Sequence, residues 1–238
     1  MKSKNYKIKI ILLLIFAISP LFTIHSQVFT DDLNMGGANL NSQFALMDNS
    51  EKFEKIKGNP FIFKEFKNGD VQFISKVIKN VPLRVNLLDN KIEFLKNENV
   101  YQFTNYTSVN FFEIAGLKFV PSRNNETGET KILQLIYEDE EFNLVKLQNY
   151  VYQERIPAKS SYEKEIPASF VEQAVRWFYY PKEDRDHLIE ISDKRQIKED
   201  EVLPYNSIKK ILRNNKLKTD QDIIDFFLEL KKNDLLAI

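Results

Sequence analysis

From Gly58 to about Gln153 the chain is a succession of short runs in which apolar and polar residues alternate, broken at close intervals by turn-formers. Alternation with period two places successive side chains on opposite faces, so each run predicts a half-buried β-strand. Residues 61–66 lead to Asn68-Gly69 and return through residues 71–74. Asn-Gly between two such runs predicts a hairpin with a type I′ turn, because both central residues need positive φ. Residues 82–88 put Leu83, Val85 and Leu87 on one face and Arg84 and Asn86 on the other, turn at Asp89-Asn90 and return through residues 92–95. Strands follow at 100–103, 108–114 and 117–120, then a loop from Pro121-Ser122 to Gly128. The next hairpin pairs residues 131–137 with 142–153 across Glu138-Asp139-Glu140-Glu141.

Roughly nine strands at short, regular spacing predict an antiparallel meander, either a curved sheet or a barrel-like domain. A polar break at 157–167 marks a boundary, so the meander occupies 58–156 and a C-terminal part 157–238. That part begins with the aromatic cluster Trp177-Phe178-Tyr179-Tyr180, a charged turn to His187 and a strand-like run at 188–191. This reads as a hairpin, with a helix over 169–178 as the alternative. Two helices close the chain. Ser207 caps the first, over residues 208–212, which ends near Asn214-Asn215. Thr219 opens the second, with Asp222 completing a shortened capping box. Ile223, Phe226, Phe227 and Leu230 recur at helical spacing, an apolar stripe that must dock on the sheet. The fold class is therefore mainly β, with a C-terminal helical pair. Residues 27–57, rich in Asn, Asp and Gly, predict an extended entry segment with a helical turn near 50–57.

The first 26 residues have a different pattern. Lys2, Lys4, Lys7 and Lys9 precede an apolar run of nine residues, 10–18, ended by Ser19-Pro20. A positive head, a short apolar run and a small residue before the cut make a secretory signal peptide, with cleavage between Ser26 and Gln27. A bilayer-spanning helix needs about 20 apolar residues, so membrane attachment is expected only through an uncleaved signal. The destination is the periplasm, the outer membrane or the exterior.

Cleavage changes the charge. Removing four lysines from 34 basic residues leaves 30 against 34 acidic ones, a net charge near −4. That disfavours a nucleic-acid partner, which requires a basic surface. The chain has no cysteine, which rules out thiol nucleophiles and thiolate metal sites. His187 is the one histidine beyond the signal, too few for a multi-histidine metal site. No cofactor or metal is expected.

The remaining candidates each have a plain structural reading. Glu138–Glu141 lacks the ligand spacing and turn glycine of a calcium loop and reads as a solvated turn. His187 beside Asp186 has no nucleophile to serve as general base. Trp177–Tyr180 suits core packing better than a stacking platform, since alternate strand residues face opposite ways. Arg84 and Asn86, on the polar face of one strand, are the candidates for binding an anion or a glycan.

Asn59-Pro60-Phe61, the strand Pro82-Leu83-Arg84-Val85-Asn86 and the hairpin Asp89-Asn90-Lys91-Ile92-Glu93-Phe94 resemble a group of uncharacterised exported, β-rich proteins of Bacteroidota. The resemblance extends through Ser160-Ser161-Tyr162 to the terminal helices. It implies export into a Gram-negative envelope and a β-rich fold, and it implies no activity. The expected function is that of a non-enzymatic envelope or secreted protein, binding another envelope protein or surface component or serving a structural role. A carrier of an apolar ligand would need a large closed cavity, and a carboxylate-dependent glycan hydrolase two carboxyls roughly 5–10 Å apart in a cleft. A packed interior with an exposed apolar patch would favour partner binding.

Overall fold

A computed structural model describes residues 44–46, 56–123, 127–158, 160, 162, 164–191, 205–214 and 217–235. All of them belong to one compact unit, Gln43–Ile238. The leader, with Ser26 and Gln27, and most of the entry segment lie outside the described residues.

The strands are β1 (Phe44–Leu46), β2 (Lys67–Phe73), β3 (Val77–Asn86), β4 (Lys91–Lys96) and β5 (Asn99–Phe103). They continue as β6 (Val109–Ile114), β7 (Leu117–Arg123), β8 (Thr130–Glu138), β9 (Phe142–Leu147) and β10 (Tyr150–Gln153). After β11 (Ser169–Glu172), β12 (Arg176–Pro181) and β13 (Ile189–Glu190) come two helices, α1 (Tyr205–Asn214) and α2 (Asp220–Lys232). Eleven strands form one open antiparallel sheet in the order β1-β5-β4-β3-β2-β6-β7-β8-β9-β12-β13, and β10 pairs with β11 separately. The meander is as expected; the sheet does not close into a barrel.

Asn68-Gly69 is not a turn. Both residues lie within β2, opposite Pro82 and Val81, and Gly69 also pairs with Ile114 on β6. A Cβ on Gly69 would sit 2.4 Å from the Glu113 carbonyl oxygen and 3.1 Å from Leu83 Cδ1. The glycine serves a close approach of strands rather than a positive φ. It stands at a bulge: between the Gly69–Val81 and Val71–Ile78 pairs, β3 carries one residue more than β2. Asn80 absorbs the excess with φ 58°, and its N–H donates to Asp70 Oδ1 at 3.1 Å. The β2–β3 connection comes later, where the Phe73 N–H donates to the Lys76 carbonyl at 2.8 Å.

Four other readings change. Pro121 and Ser122 belong to β7, opposite Ile132 and Lys131, not to a loop. Pro121 lies beyond Phe119, which pairs with Phe112 of β6, so it falls where the edge tolerates a residue without an N–H. The run 142–153 divides between β9 and β10. Helix α1 starts at Tyr205, which puts Ser207 inside its first turn and not at its cap. Residues 169–172 and 176–178 are strand, and the three residues between them are not helical.

The sheet curls until the β3–β4 turn reaches β8, four places from β3 in the order. Asn90, at φ 50°, donates from Nδ2 to the Ile132 carbonyl at 3.0 Å and accepts the Ile132 N–H at 2.7 Å. The inner face so enclosed is filled by Leu83, Val85, Ile92, Phe94, Phe103 and Phe112, all buried. Phe103 meets Phe94 and Phe112 edge-on at 5.3 and 5.0 Å, the geometry favoured by aromatic quadrupoles. Tyr106 is buried beside them, and its hydroxyl accepts the Ile92 N–H at 3.2 Å. Burial lifts its pKa well above the ordinary tyrosine value.

Farther along the same face, the helices cover β8, β9 and β12. Thr219 and Asp222 form the capping box, and Ile223, Phe226, Phe227 and Leu230 are all buried, as the stripe requires. They pack on Phe142, Leu144 and Tyr179. The opposite face carries Val120, Leu133, Val145, Phe178 and Tyr180, covered in part by Leu188 from the connection between β12 and β13.

Gly69→Ala is expected to destabilise the protein by roughly 1–3 kcal/mol, the usual cost of overpacking a site that cannot yield easily. Urea unfolding followed by circular dichroism measures it; an unchanged midpoint would mean that the strands part without cost.

Candidate functional site

Arg84 and Asn86 do lie on the face opposite Leu83 and Val85, but that face is occupied. Residues 61 and 66 lay their rings on it, with the Arg84 guanidinium carbon 3.7 Å from the Phe61 ring centroid and 4.3 Å from that of Phe66. Arg84 donates to Glu93 Oε2 from Nη2 at 2.5 Å and from Nε at 3.1 Å. Asn86 Nδ2 donates to Glu93 Oε1 at 2.8 Å and Asp89 Oδ2 at 3.2 Å. Its Oδ1 accepts the N–H groups of Leu88 and Asp89 at 3.0 and 3.2 Å. Asn86 has thereby used both donors and both lone pairs. The two residues are brought together, around a buried Glu93, as a bracket that holds the β3–β4 hairpin.

The acidic turn after β8 is equally engaged. Asp139 Oδ1 accepts the N–H groups of Glu141 and Phe142 at 2.8 and 2.9 Å, and Oδ2 accepts from Lys231 at 3.0 Å. Lys231 also meets Glu141 at 3.2 Å, so the last turn of α2 is pinned to the tip of the β8–β9 hairpin. Partial burial works to raise the Asp139 pKa. The Phe142 and Glu141 amides and the Lys231 ammonium outweigh it and hold the carboxyl below its ordinary value. Among the described residues, no group of three or more His, Asp and Glu is placed to hold a metal ion.

The aromatic cluster is core on both faces of β12. Tyr179 points to the helices, while Phe178 and Tyr180 point to the opposite side. Burial, reinforced by the Glu138 charge, pushes the Tyr180 hydroxyl up to about 12. Trp177 is half-buried and donates from Nε1 to Asp220 Oδ1 at 2.8 Å. His187 is exposed, and the Asp186 carboxylate accepts the Arg123 N–H at 2.8 Å rather than orienting the imidazole.

Sequence reasoning missed the most exposed element. Residues 150–156 and 166–172 form a two-stranded arm outside the main sheet, with Val151 opposite Val171 and Tyr152 opposite Phe170. The ladder lapses opposite Pro167, which has no N–H to donate, and resumes where Ile156 and Ile166 exchange hydrogen bonds of 2.9 and 3.0 Å. The polar break at 157–167 is thus the tip of a hairpin. Lys57 anchors its base, donating to the Ala168 carbonyl at 3.1 Å and accepting from the Phe170 N–H at 2.9 Å. Nine large hydrophobic side chains are exposed among the described residues; Val151, Tyr152, Ile156, Tyr162, Ile166 and Val171 are six of them. The available signal was the matched apolar pairs on either side of the break.

Glu93→Gln removes the charge that the Arg84 guanidinium faces beneath two rings, and is expected to cost about 3–5 kcal/mol in urea unfolding, as for other broken buried pairs. Asp139 gives a pH dependence. Because its folded pKa is depressed, its contribution is present above its unfolded value of about 3.9 and is lost as pH falls through the folded pKa. Asp139→Asn should therefore flatten the acid limb of the stability profile below about pH 4; a limb of unchanged steepness would show that the Lys231 contact does not bear on stability.

Comparison with protein-family models, with curated proteins and with solved structures returns no match, so the site is read from its own geometry.

Proposed function

We propose that this is an exported, non-enzymatic binding protein of the cell envelope, and that it engages a partner protein through the β10–β11 arm. The observation that carries this reading is the concentration of exposed apolar side chains on the arm, with Tyr162 98% exposed at its tip. Apolar surface held on a projecting ribbon costs solubility and favours contact with another macromolecule. Aromatic and branched side chains are the ones that anchor protein interfaces. The exposed Arg155–Glu165 pair at 2.7 Å borders this surface with charges suited to a polar rim.

The interior supports partner binding over a carrier. Between Val85 and Leu87 on one side and Phe119 and Ile132 on the other, the curled sheet leaves a void of about 10 Å³, room for one water. Export rests on the leader pattern and on the resemblance to exported Bacteroidota proteins. Among the described residues no helix is long and apolar enough to cross a membrane.

A photo-crosslinking residue placed at Tyr162 or Ile156, in cells, is expected to capture one reproducible envelope protein. The same residue at Leu228, exposed on α2, should not. Replacing residues 157–165 by Asn-Gly, which suits the hydrogen-bonded Ile156–Ile166 pair, should abolish capture at Ile156 without lowering the melting temperature. Equal capture from Leu228, or recovery in the cytoplasm with residues 1–26 intact, would overturn the proposal.

A further inference from the structure

We propose that a second site, on the outer face of the sheet, binds a small zwitterion of the α-amino acid class with an apolar side chain. The connection between β12 and β13 leaves the sheet edge and crosses back over β9, β8 and β7. It is fastened to β7 and β6 at three points. Ser122 Oγ donates to the Arg185 carbonyl at 3.0 Å, and the Arg123 N–H donates to Asp186 Oδ1 at 2.8 Å. Arg185 Nη1 reaches the carbonyls of Val109 and Asn110, both at 3.3 Å. Between this strap and the strands lies a cavity of about 240 Å³. That is below the roughly 300–1,000 Å³ of pockets for drug-sized ligands, the scale of a free amino acid rather than of a cofactor.

Four charged residues line the cavity: Lys131, Arg176, Asp186 and Glu190. Two of them satisfy each other. Arg176 donates from Nε to Glu190 Oε1 at 2.8 Å and from Nη2 to Glu190 Oε2, leaving Nη1 unused by that pair. Lys131 and Asp186 face the same cavity without pairing with each other, and Lys131 has no ion pair among the described residues. Phe178 and Leu188 supply an apolar wall.

That arrangement selects by charge. A simple anion would gain Lys131 and meet Asp186; a simple cation would gain Asp186 and meet Lys131. A molecule carrying both charges satisfies both and leaves neither opposed. Its carboxylate is assigned to Lys131 and the spare Arg176 Nη1, its ammonium to the second Asp186 oxygen, and its side chain to Phe178 and Leu188. The site is separate from the arm, and its test does not depend on a partner protein.

Calorimetric titration of the purified protein with L-leucine tests the assignment. 4-Methylpentanoate, which lacks the ammonium, and isopentylamine, which lacks the carboxylate, serve as half-probes. L-Leucine should bind, and each half-probe should bind at least about tenfold more weakly. Asp186→Asn, which keeps the acceptor for the Arg123 N–H, and Lys131→Gln should each weaken L-leucine about tenfold or more, with Lys131→Arg restoring most of it. The melting temperature of each variant checks that it is folded. No heat with L-leucine up to about 10 mM, half-probes equal to L-leucine, or folded variants of unchanged affinity would each overturn the proposal.

Discussion

Asn90 fastens the β3–β4 end of the sheet to its middle. An open antiparallel sheet of eleven strands has two free edges and a broad apolar face, and twist alone does not bury that face. The carboxamide of Asn90 supplies what a strand would have supplied. It offers one donor and one acceptor to the backbone of a single residue, Ile132, so that the curl is closed by a side chain instead of a ladder. Asparagine suits the position for a second reason, since it tolerates the left-handed backbone of the turn. Once the curl is held, Phe94, Phe103, Phe112 and Tyr106 pack against one another, and the aromatic core follows.

The remaining apolar surface then needs two separate covers. On the inner face, α2 settles over β9 and β12, and Asp220 at its start is shared by Trp177 Nε1 and Lys146 Nζ, at 2.8 and 2.5 Å. At its other end Lys231 reaches the acidic turn. A helix tied at both ends and buried along one stripe has little freedom to slide. On the outer face the strap from 182 to 188 does the corresponding work with side-chain-to-backbone hydrogen bonds and Leu188. Strands β9 and β12, covered on both sides, are accordingly buried at consecutive residues, Phe142–Val145 and Phe178–Tyr180, rather than at alternate ones. A chain with no cysteine reaches this degree of order through burial and paired charges.

Legibility in the sequence tracks how local each cause is. Helix α2 was fully readable, because its cap and stripe lie within the helix itself. The face assignment of Leu83, Val85, Arg84 and Asn86 was readable from alternation over a few residues. What covers that face was not, since Phe61 and Phe66 arrive from an earlier segment and convert a polar edge into a buried bracket. Gly69 misled for the same reason. Its neighbour in sequence suggests a turn, whereas the atom that requires a glycine is the Glu113 carbonyl on another strand. The arm was hidden because a hairpin tip and a domain boundary have the same polar composition. Lys131 and Asp186 gave no signal at all, being neighbours only through the strap.

Charge commitment separates scaffold from site more sharply than residue type does. Arg84 with Glu93, Lys146 with Asp220 and Lys231 with Asp139 are each satisfied by a partner fixed on a neighbouring element, and each couples two parts of the fold. Such pairs have no capacity left for a ligand without the loss of a structural contact. Lys131 and Asp186 differ in kind, since opposite charges share a cavity and leave each other alone. The arm is the apolar counterpart: Val151, Ile156 and Ile166 are as bulky as core residues, yet their side chains are exposed. Groups that folding does not consume are the ones available for recognition, and among the described residues the arm and the strap cavity each gather several of them.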